Sequence, residues 1–263
     1  MQPSIWKCLE GASLICGKRA MITGAAAGIG KACSHLFAAQ GADLILVDCR
    51  EQELKALASD IAAATGREVL AIGTDLTRED DIDRLFKKIS ETNSPFQILV
   101  NNAGGGLPTD IFEITADEWN RVISLNLTSV FLLSQKAARH FREQAGGAIV
   151  NLSSIAGRST SPTAGCHYTS AKAGVLGLTR HMARQLAAFN IRVNAVCPGV
   201  VNSERLVRRM EERGTRKSVD SSIPLGRIGD VDEVAGCCLF LASDLSGYVT
   251  GASLDVNGGA LML

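Results

Sequence analysis

The chain has no imbalance of charge. Its 27 lysines and arginines meet 27 aspartates and glutamates, without a basic stripe, so nothing marks a surface for nucleic acid or an anionic membrane. Long apolar runs are missing too. None reaches the roughly 20 residues that cross a bilayer, so no membrane partner is expected. Met1 to Lys18 lack the charged start, apolar core and cleavage site of a secretory leader, which points to a cytoplasmic protein. CxxC spacing is absent among the eight cysteines, at 8, 16, 33, 49, 166, 197, 237 and 238. Cys237 and Cys238 are adjacent within a helical pattern and poorly placed to bridge each other. The eight read as reduced apolar fillers, with no structural zinc. His35, His140 and His181 lie in helical patterns without an acid or ligand spacing, and no metal is expected. Linkers, internal repeats and low-complexity tracts are also absent.

What is present is an alternation. Short apolar runs at 20–22, 44–47, 69–72, 98–100, 148–150, 191–196 and 253–256 suit strands buried on both faces of a parallel sheet. Helical patterns lie between them at 29–40, 51–64, 79–91, about 115–145, 166–189 and 231–242. With 46% hydrophobic residues the core is sizeable. The expected architecture is one α/β domain over 1–263, a doubly wound seven-stranded parallel sheet with helices on both faces. About 1–13 form an N-terminal extension without an assigned task. The most polar stretch, Asn202 to Ser222, carries Arg205, Arg208, Arg209, Glu211, Glu212, Arg213, Arg216 and Lys217. It reads as a solvated helix face or, since it follows a strand's carboxyl end, as a lid over about 200–222.

The first strand runs into Thr23-Gly24-Ala25-Ala26-Ala27-Gly28-Ile29-Gly30. Gly24 permits a tight turn, Gly28 close approach of a pyrophosphate, and Gly30 close packing of helix on strand. The phosphates would meet the N–H groups and positive end of the helix. Asp48 ends the second strand, 18 residues after Gly30, where an acid bonds the ribose hydroxyls of a dinucleotide. Its charge would repel a 2′-phosphate, favouring NAD over NADP, although Arg50 could accept that phosphate. Asp75, after the third strand, is placed either to reach an adenine edge or to cap a turn or helix. Asn101-Asn102-Ala103-Gly104, after the fourth, forms either a wall against a planar ligand or a plain polar turn.

Tyr168 and Lys172 are four apart and share a helix face. Ordinary tyrosine and lysine pKa values are about 10 and 10.4. A lysine cation and an oxidised nicotinamide beside the phenol would both favour the tyrosinate. The phenol then becomes a usable general base for an alcohol proton, and in reverse an acid for a carbonyl. The spacing alone is common; its context is Ser154, closing the preceding strand, which can donate to a substrate oxygen as it gains charge. Ser153 would point the opposite way as a structural hydroxyl. His167 projects from another part of the helix face and reads as structural or substrate-lining.

These ordered pieces, together with Asn126, Pro198-Gly199, Ile223-Pro224-Leu225-Gly226-Arg227, Phe240-Leu241-Ala242-Ser243 and Val256-Asn257-Gly258-Gly259, resemble the short-chain dehydrogenase/reductase family from about Leu14 onward. The resemblance implies a Rossmann-like fold and a catalytic set of Ser154, Tyr168, Lys172 and Asn126. In it Lys172 also holds the nicotinamide ribose and Asn126 helps hold a water in a proton relay. Cofactor contacts are implied at Gly24, Ala26, Gly28, Ile29, Gly30, Asp48, Cys49, Asp75, Leu76, Asn102, Ala103, Gly104, Tyr168, Lys172, Pro198, Gly199, Val201 and Ser203. Substrate contacts are implied at Gly105, Ser154, His167, Tyr168 and Gly199, and a homotetramer is the usual assembly. Two departures stand out: Ser203 replaces the more usual threonine, and Asn257 replaces an aspartate. The expected activity is NAD-dependent interconversion of a small secondary alcohol and a ketone through Tyr168. The alternative is an NADPH-dependent 3-oxoacyl-carrier-protein reductase, whose acidic carrier could meet the basic cluster but whose cofactor Asp48 opposes. A nucleotide-binding scaffold without catalysis is the non-enzyme alternative. Steroid, polyol and sugar alcohols remain open substrates, because fold and cofactor motif do not identify one.

Overall fold

In the computed structural model the described residues are 13–263 except 145, 162, 204, 205, 208, 209, 211 and 213. The proposed extension thus lies, apart from Ser13, outside them, as does much of the charged part of 200–222. The elements are β1 (Arg19–Thr23), α1 (Gly28–Ala39), β2 (Asp43–Asp48), α2 (Glu51–Thr65), β3 (Val69–Gly73), α3 (Glu79–Glu91), β4 (Ile98–Asn101), α4 (Ala116–Ile123), α5 (Ser129–Glu143) and β5 (Gly147–Leu152). There follow α6 (Cys166–Leu186), β6 (Ile191–Pro198), β7 (Val201–Asn202), α7 (Arg216–Ser222), β8 (Gly229–Asp230), α8 (Val231–Ala242) and β9 (Ser253–Val256).

Seven strands form one parallel sheet in the order β3-β2-β1-β4-β5-β6-β9. The near-continuous apolar runs are explained by what each face meets. Side chains alternate across a strand, so Ile22, Leu44, Leu46 and Val100 pack with Phe37 of α1, Leu54 and Ile61 of α2 and Leu239 of α8. On the other face Met21, Ile45, Val47 and Leu99 pack with Ile82 and Leu85 of α3, Phe141 of α5 and Met182 of α6. Both faces are covered, so no position of the inner strands can be polar without a partner. The order reverses between β1 and β4, which opens a crevice at the carboxyl ends of the strands.

One expectation is corrected. The helix anticipated over 115–145 is interrupted by a π-helical turn, Ser124–Thr128, between α4 and α5. The Asn126 side chain donates to the Val122 carbonyl at 2.9 Å and Ser129 Oγ donates to the Leu125 carbonyl at 2.6 Å. These bonds support a widened turn, a feature that often marks a functional position.

Candidate functional site

The β1–α1 turn is shaped by glycine where nothing else fits. Gly24 and Gly28 have φ of +63° and +54°, in the left-handed region. A Cβ on Gly24 would lie 2.8 Å from Ala103 Cα, and one on Gly30 would lie 2.5 Å from Asn102 Nδ2 and run into the Gly24 carbonyl. Asn102 zips this turn to the end of β4, its amide donating to the carbonyls of Thr23 (2.9 Å) and Gly24 (3.1 Å). Thr23 Oγ1 accepts in return from the N–H groups of Asn102 and Ala103, at 3.0 and 3.1 Å. Around Gly28, by contrast, the first atom met is Ser203 Cβ at 3.9 Å. The first turn of α1 has no capping side chain and no acid. An uncapped, acid-free helix start facing open space fits a pyrophosphate.

Asp48 is buried at the end of β2. Its carboxylate accepts from the Ala26 N–H at 3.1 Å, the Arg50 N–H at 3.0 Å, and the Arg50 guanidinium at 3.2 Å on both oxygens. Burial pushes its pKa up, but the bonds from Arg50 and Ala26 outweigh that and hold it below the usual carboxylate value. Cys49, beside it, is half engaged, its thiol 3.7 Å from the same carboxylate. The guanidinium expected to offer an alternative anion site is therefore folded onto the acid. Asp75 is a turn residue, one oxygen accepting from both the N–H and the hydroxyl of Thr77, at 2.9 and 2.7 Å, while Leu76 is buried. Pro198 ends β6; the nearby Gly199 packs on Asn257, and Val201 is buried. Asn257 itself closes the last turn, its oxygen accepting from the Gly259 N–H at 2.9 Å.

Tyr168 and Lys172 stand together on the first turns of α6, with the lysine Nζ 5.7 Å from the ring centroid. Lys172 is 3% exposed and donates to the Leu152 carbonyl at 2.7 Å. Burial lowers its pKa to about 8 from the ordinary 10.5, a shift that the spacing alone did not show. A Cβ on Gly104 would come 3.2 Å from that Nζ; only glycine leaves this approach open. Asn126 is fully buried and clasps Gly105 by both backbone groups, accepting its N–H and donating to its carbonyl, each at 2.9 Å. Ser154 Oγ accepts the Ala156 N–H at 3.1 Å and so caps the short helix Ile155–Gly157, leaving its own proton to donate. Ser153 turns inward, as expected, and donates to the Lys172 carbonyl at 2.8 Å.

His167 does not line an open site. It has no exposed surface; its Nε2 bonds Glu118 at 3.1 Å and its Nδ1 accepts the Tyr168 N–H at 2.9 Å. Asn101 is likewise buried, not a ligand wall: its amide donates to Ser134 and Asn151, which in turn donates to Thr179. Sequence reasoning missed Glu118 and Thr109, whose hydroxyl donates to Glu118 at 2.6 Å. The only local signal at Glu118 was a Thr-x-x-Glu cap, and Thr115 Oγ1 does accept the Glu118 N–H.

Residues 24–260 match the family described as enoyl-(acyl carrier protein) reductase. The chain is 38% identical over 246 residues to a 3-oxoacyl-[acyl-carrier-protein] reductase of Thermotoga maritima, covering 94% of this chain and 98% of that one. It is also 38% identical over 252 residues to a short-chain type dehydrogenase/reductase of Sinorhizobium fredii, covering 95% and 99%. Among solved structures, a 3-oxoacyl-[acyl-carrier protein] reductase with bound NAD from Brucella melitensis shares the fold with a TM-score of 0.89 and 31% identity, over 100% of this chain and 97% of that one. Likeness so complete in length, on a sheet that carries the glycine turn at its switch point, places this chain in the short-chain dehydrogenase/reductase family, as an oxidoreductase working between CH–OH and ketone groups.

Proposed function

We propose that this protein interconverts a 3-oxoacyl and a 3-hydroxyacyl group carried as a thioester, with NAD(H) as cofactor. The observation that carries the chemistry is the buried Lys172 ammonium set 5.7 Å from the Tyr168 ring centroid at the carboxyl edge of the sheet. Relatives named for 3-oxoacyl reduction favour the acyl substrate over a small alcohol. The objection from Asp48, that such reductases need NADPH, is met by the Brucella melitensis reductase described with NAD bound. An apolar lip supports the same choice: Leu107, Ile111 and Phe112, on the loop leaving Gly106, are 46%, 66% and 95% exposed, a surface suited to an acyl chain.

The uncapped start of α1 would hold the pyrophosphate, Asp48 the adenosine ribose once Arg50 swings off it, and Lys172 the nicotinamide ribose. When bound, the nicotinamide supplies hydride to, or takes it from, the carbon bearing the substrate oxygen. Ser154 donates a hydrogen bond to that oxygen, stabilising its developing charge. Tyr168 gives the oxygen a proton in reduction and removes it in oxidation. Lys172, carried between Leu152 and the phenol, sets the charge beside it, and Asn126 holds the Gly104–Gly105 backbone that borders the lysine.

The test is turnover of acetoacetyl thioesters and of small ketones and alcohols with NADH and NADPH, or their oxidised forms, followed by nicotinamide absorbance. Thioester reduction that vanishes in Tyr168→Phe, with nucleotide binding retained, supports the reading. Turnover confined to small ketones removes the acyl substrate, and turnover undiminished in Tyr168→Phe removes the mechanism.

A further inference from the structure

Between β4 and α4 the chain lays Gly104, Gly105 and Gly106 over the site, a run with little intrinsic reason to keep one shape. Gly106 nevertheless packs against the base of the Tyr168 ring, where a Cβ would come 2.9 Å from both Tyr168 Cβ and Cγ. The loop is held from outside. Asn126 clasps Gly105, and the Gly165 N–H, at the start of α6, donates to the Leu107 carbonyl at 2.8 Å. Farther along, Thr109 Oγ1 donates to Glu118 Oε1 at 2.6 Å, and the same oxygen bonds His167 Nε2 at 3.1 Å. His167 Nδ1 accepts the Tyr168 N–H, which also reaches the Gly165 carbonyl at 3.1 Å, and this leaves Nε2 to bond Glu118. The Thr109 hydroxyl, and after it His167, hold the Glu118 carboxyl below its usual pKa, with Arg121 adding the smallest pull.

We infer that Glu118 is a positioning residue for Tyr168: a single carboxylate oxygen, bonded by Thr109 and His167, staples the glycine loop to the first turn of α6 and fixes the phenol between Gly106 and Lys172. The inference rests on the reading of Tyr168 as the proton carrier. Glu118 acts through the two donors it joins, Thr109 and His167. Its side chain is separable from the start of α4, because the Thr115 cap uses only the Glu118 backbone N–H.

The experiment compares full-length wild type, Glu118→Ala and Glu118→Gln by steady-state reduction of acetoacetyl-coenzyme A, nucleotide binding and amide hydrogen exchange. In Glu118→Ala, kcat falls by about tenfold to a hundredfold, the loss expected of a reacting group displaced by about an ångström, while the nucleotide dissociation constant is unchanged. Exchange at 104–110 and 165–170 speeds up by about tenfold or more, while the sheet strands keep their protection. Glu118→Gln, whose Oε1 still accepts from both donors, restores protection and most of kcat. Wild-type kcat or wild-type exchange in Glu118→Ala overturns the proposal, and so does Glu118→Gln as slow as Glu118→Ala, which would make charge the cause. If the wild type turns over no thioester or ketone, the functional reading fails, and the exchange arm alone upholds or overturns the staple.

Discussion

Replacing Lys172 with methionine removes a buried cation at nearly constant volume, and the consequence for stability has a definite pH signature. In the folded protein this ammonium titrates at about 8, because burial disfavours the charged form. In the unfolded chain it titrates at about 10.4. Below pH 8 both states hold the proton, and the native state bears the full cost of a charge out of water. From pH 8 to 10.5 the unfolded state binds more protons than the native one, so this group makes stability rise with pH; above that range its contribution is level. At roughly 1.4 kcal/mol per pKa unit the whole rise is about 3 kcal/mol. The methionine lacks this dependence. It also leaves the Leu152 carbonyl, which accepts from Nζ at 2.7 Å, without its donor, a constant loss of about 1 kcal/mol. Lys172→Met is therefore expected to be about 2 kcal/mol more stable than wild type at pH 7 and about 1 kcal/mol less stable at pH 10.5. Urea unfolding of both proteins without nucleotide, from pH 7 to 10.5 at one protein concentration, reads the difference directly. Titrating groups that do not feel the Lys172 charge are common to the pair and cancel; Tyr168 and Cys197 beside it are the exceptions. A stability difference that stays flat across that range would refute the argument that Lys172 is a desolvated ammonium.

Four further outcomes follow from the same geometry. Gly106→Ala places a Cβ 2.9 Å from Tyr168 Cβ and Cγ, so kcat is expected to fall by about tenfold or more while nucleotide binding holds; wild-type kcat would show that the ring does not depend on this contact. Asp48→Ala should weaken NAD by about tenfold to a hundredfold, the worth of hydrogen bonds to a charged group, and improve relative use of NADP. Arg50→Ala, which frees the carboxylate, should move the ratio of NAD to NADP affinity the other way, and equal ratios in both variants would sink the role given to Asp48. Gly30→Ala drives a Cβ into the Gly24 carbonyl and to 2.5 Å from Asn102 Nδ2, which should cost about 1–3 kcal/mol in urea unfolding; an unperturbed midpoint would contradict the packing described.

The strands were readable because a sheet covered on both faces makes most inner positions apolar, and Leu44-Ile45-Leu46-Val47 has no other use. The glycine turn was readable because conformation and close packing at Gly24, Gly28 and Gly30 exclude a side chain locally. The π-helical turn was not. Leu125-Asn126-Leu127 looks like a polar residue inside a helix, and the partner that Asn126 clasps, Gly105, lies 21 residues earlier. Of the two readings of His167, structural or substrate-lining, the bonds bear on the first: its Nδ1 accepts the N–H of the next residue, and its other partner, Glu118, lies 49 residues upstream, beyond any local pattern. The spacing of Tyr168 and Lys172 told which side chains meet but not that burial would bring the lysine pKa to about 8.

The polar residues that were hardest to place share one physical role. Asn101, Asn126, Asn151 and Thr179 have almost no exposed surface, and a buried amide left unpaired costs more than a paired one gains. Each is bonded to another of the set or to a glycine backbone: Asn101 to Asn151 at 2.8 Å, Asn151 to Thr179 at 2.9 Å, and Asn126 to Gly105. Together they weld β4, β5, α6 and the glycine loop at the carboxyl edge of the sheet. The reacting side chains can then be few, because the amide groups of these supports are already bonded, although the Asn101 oxygen is buried without a partner. On this view the amides matter through the order they impose on Tyr168, Lys172 and Ser154, and their loss would be felt first in kcat and only then in folding.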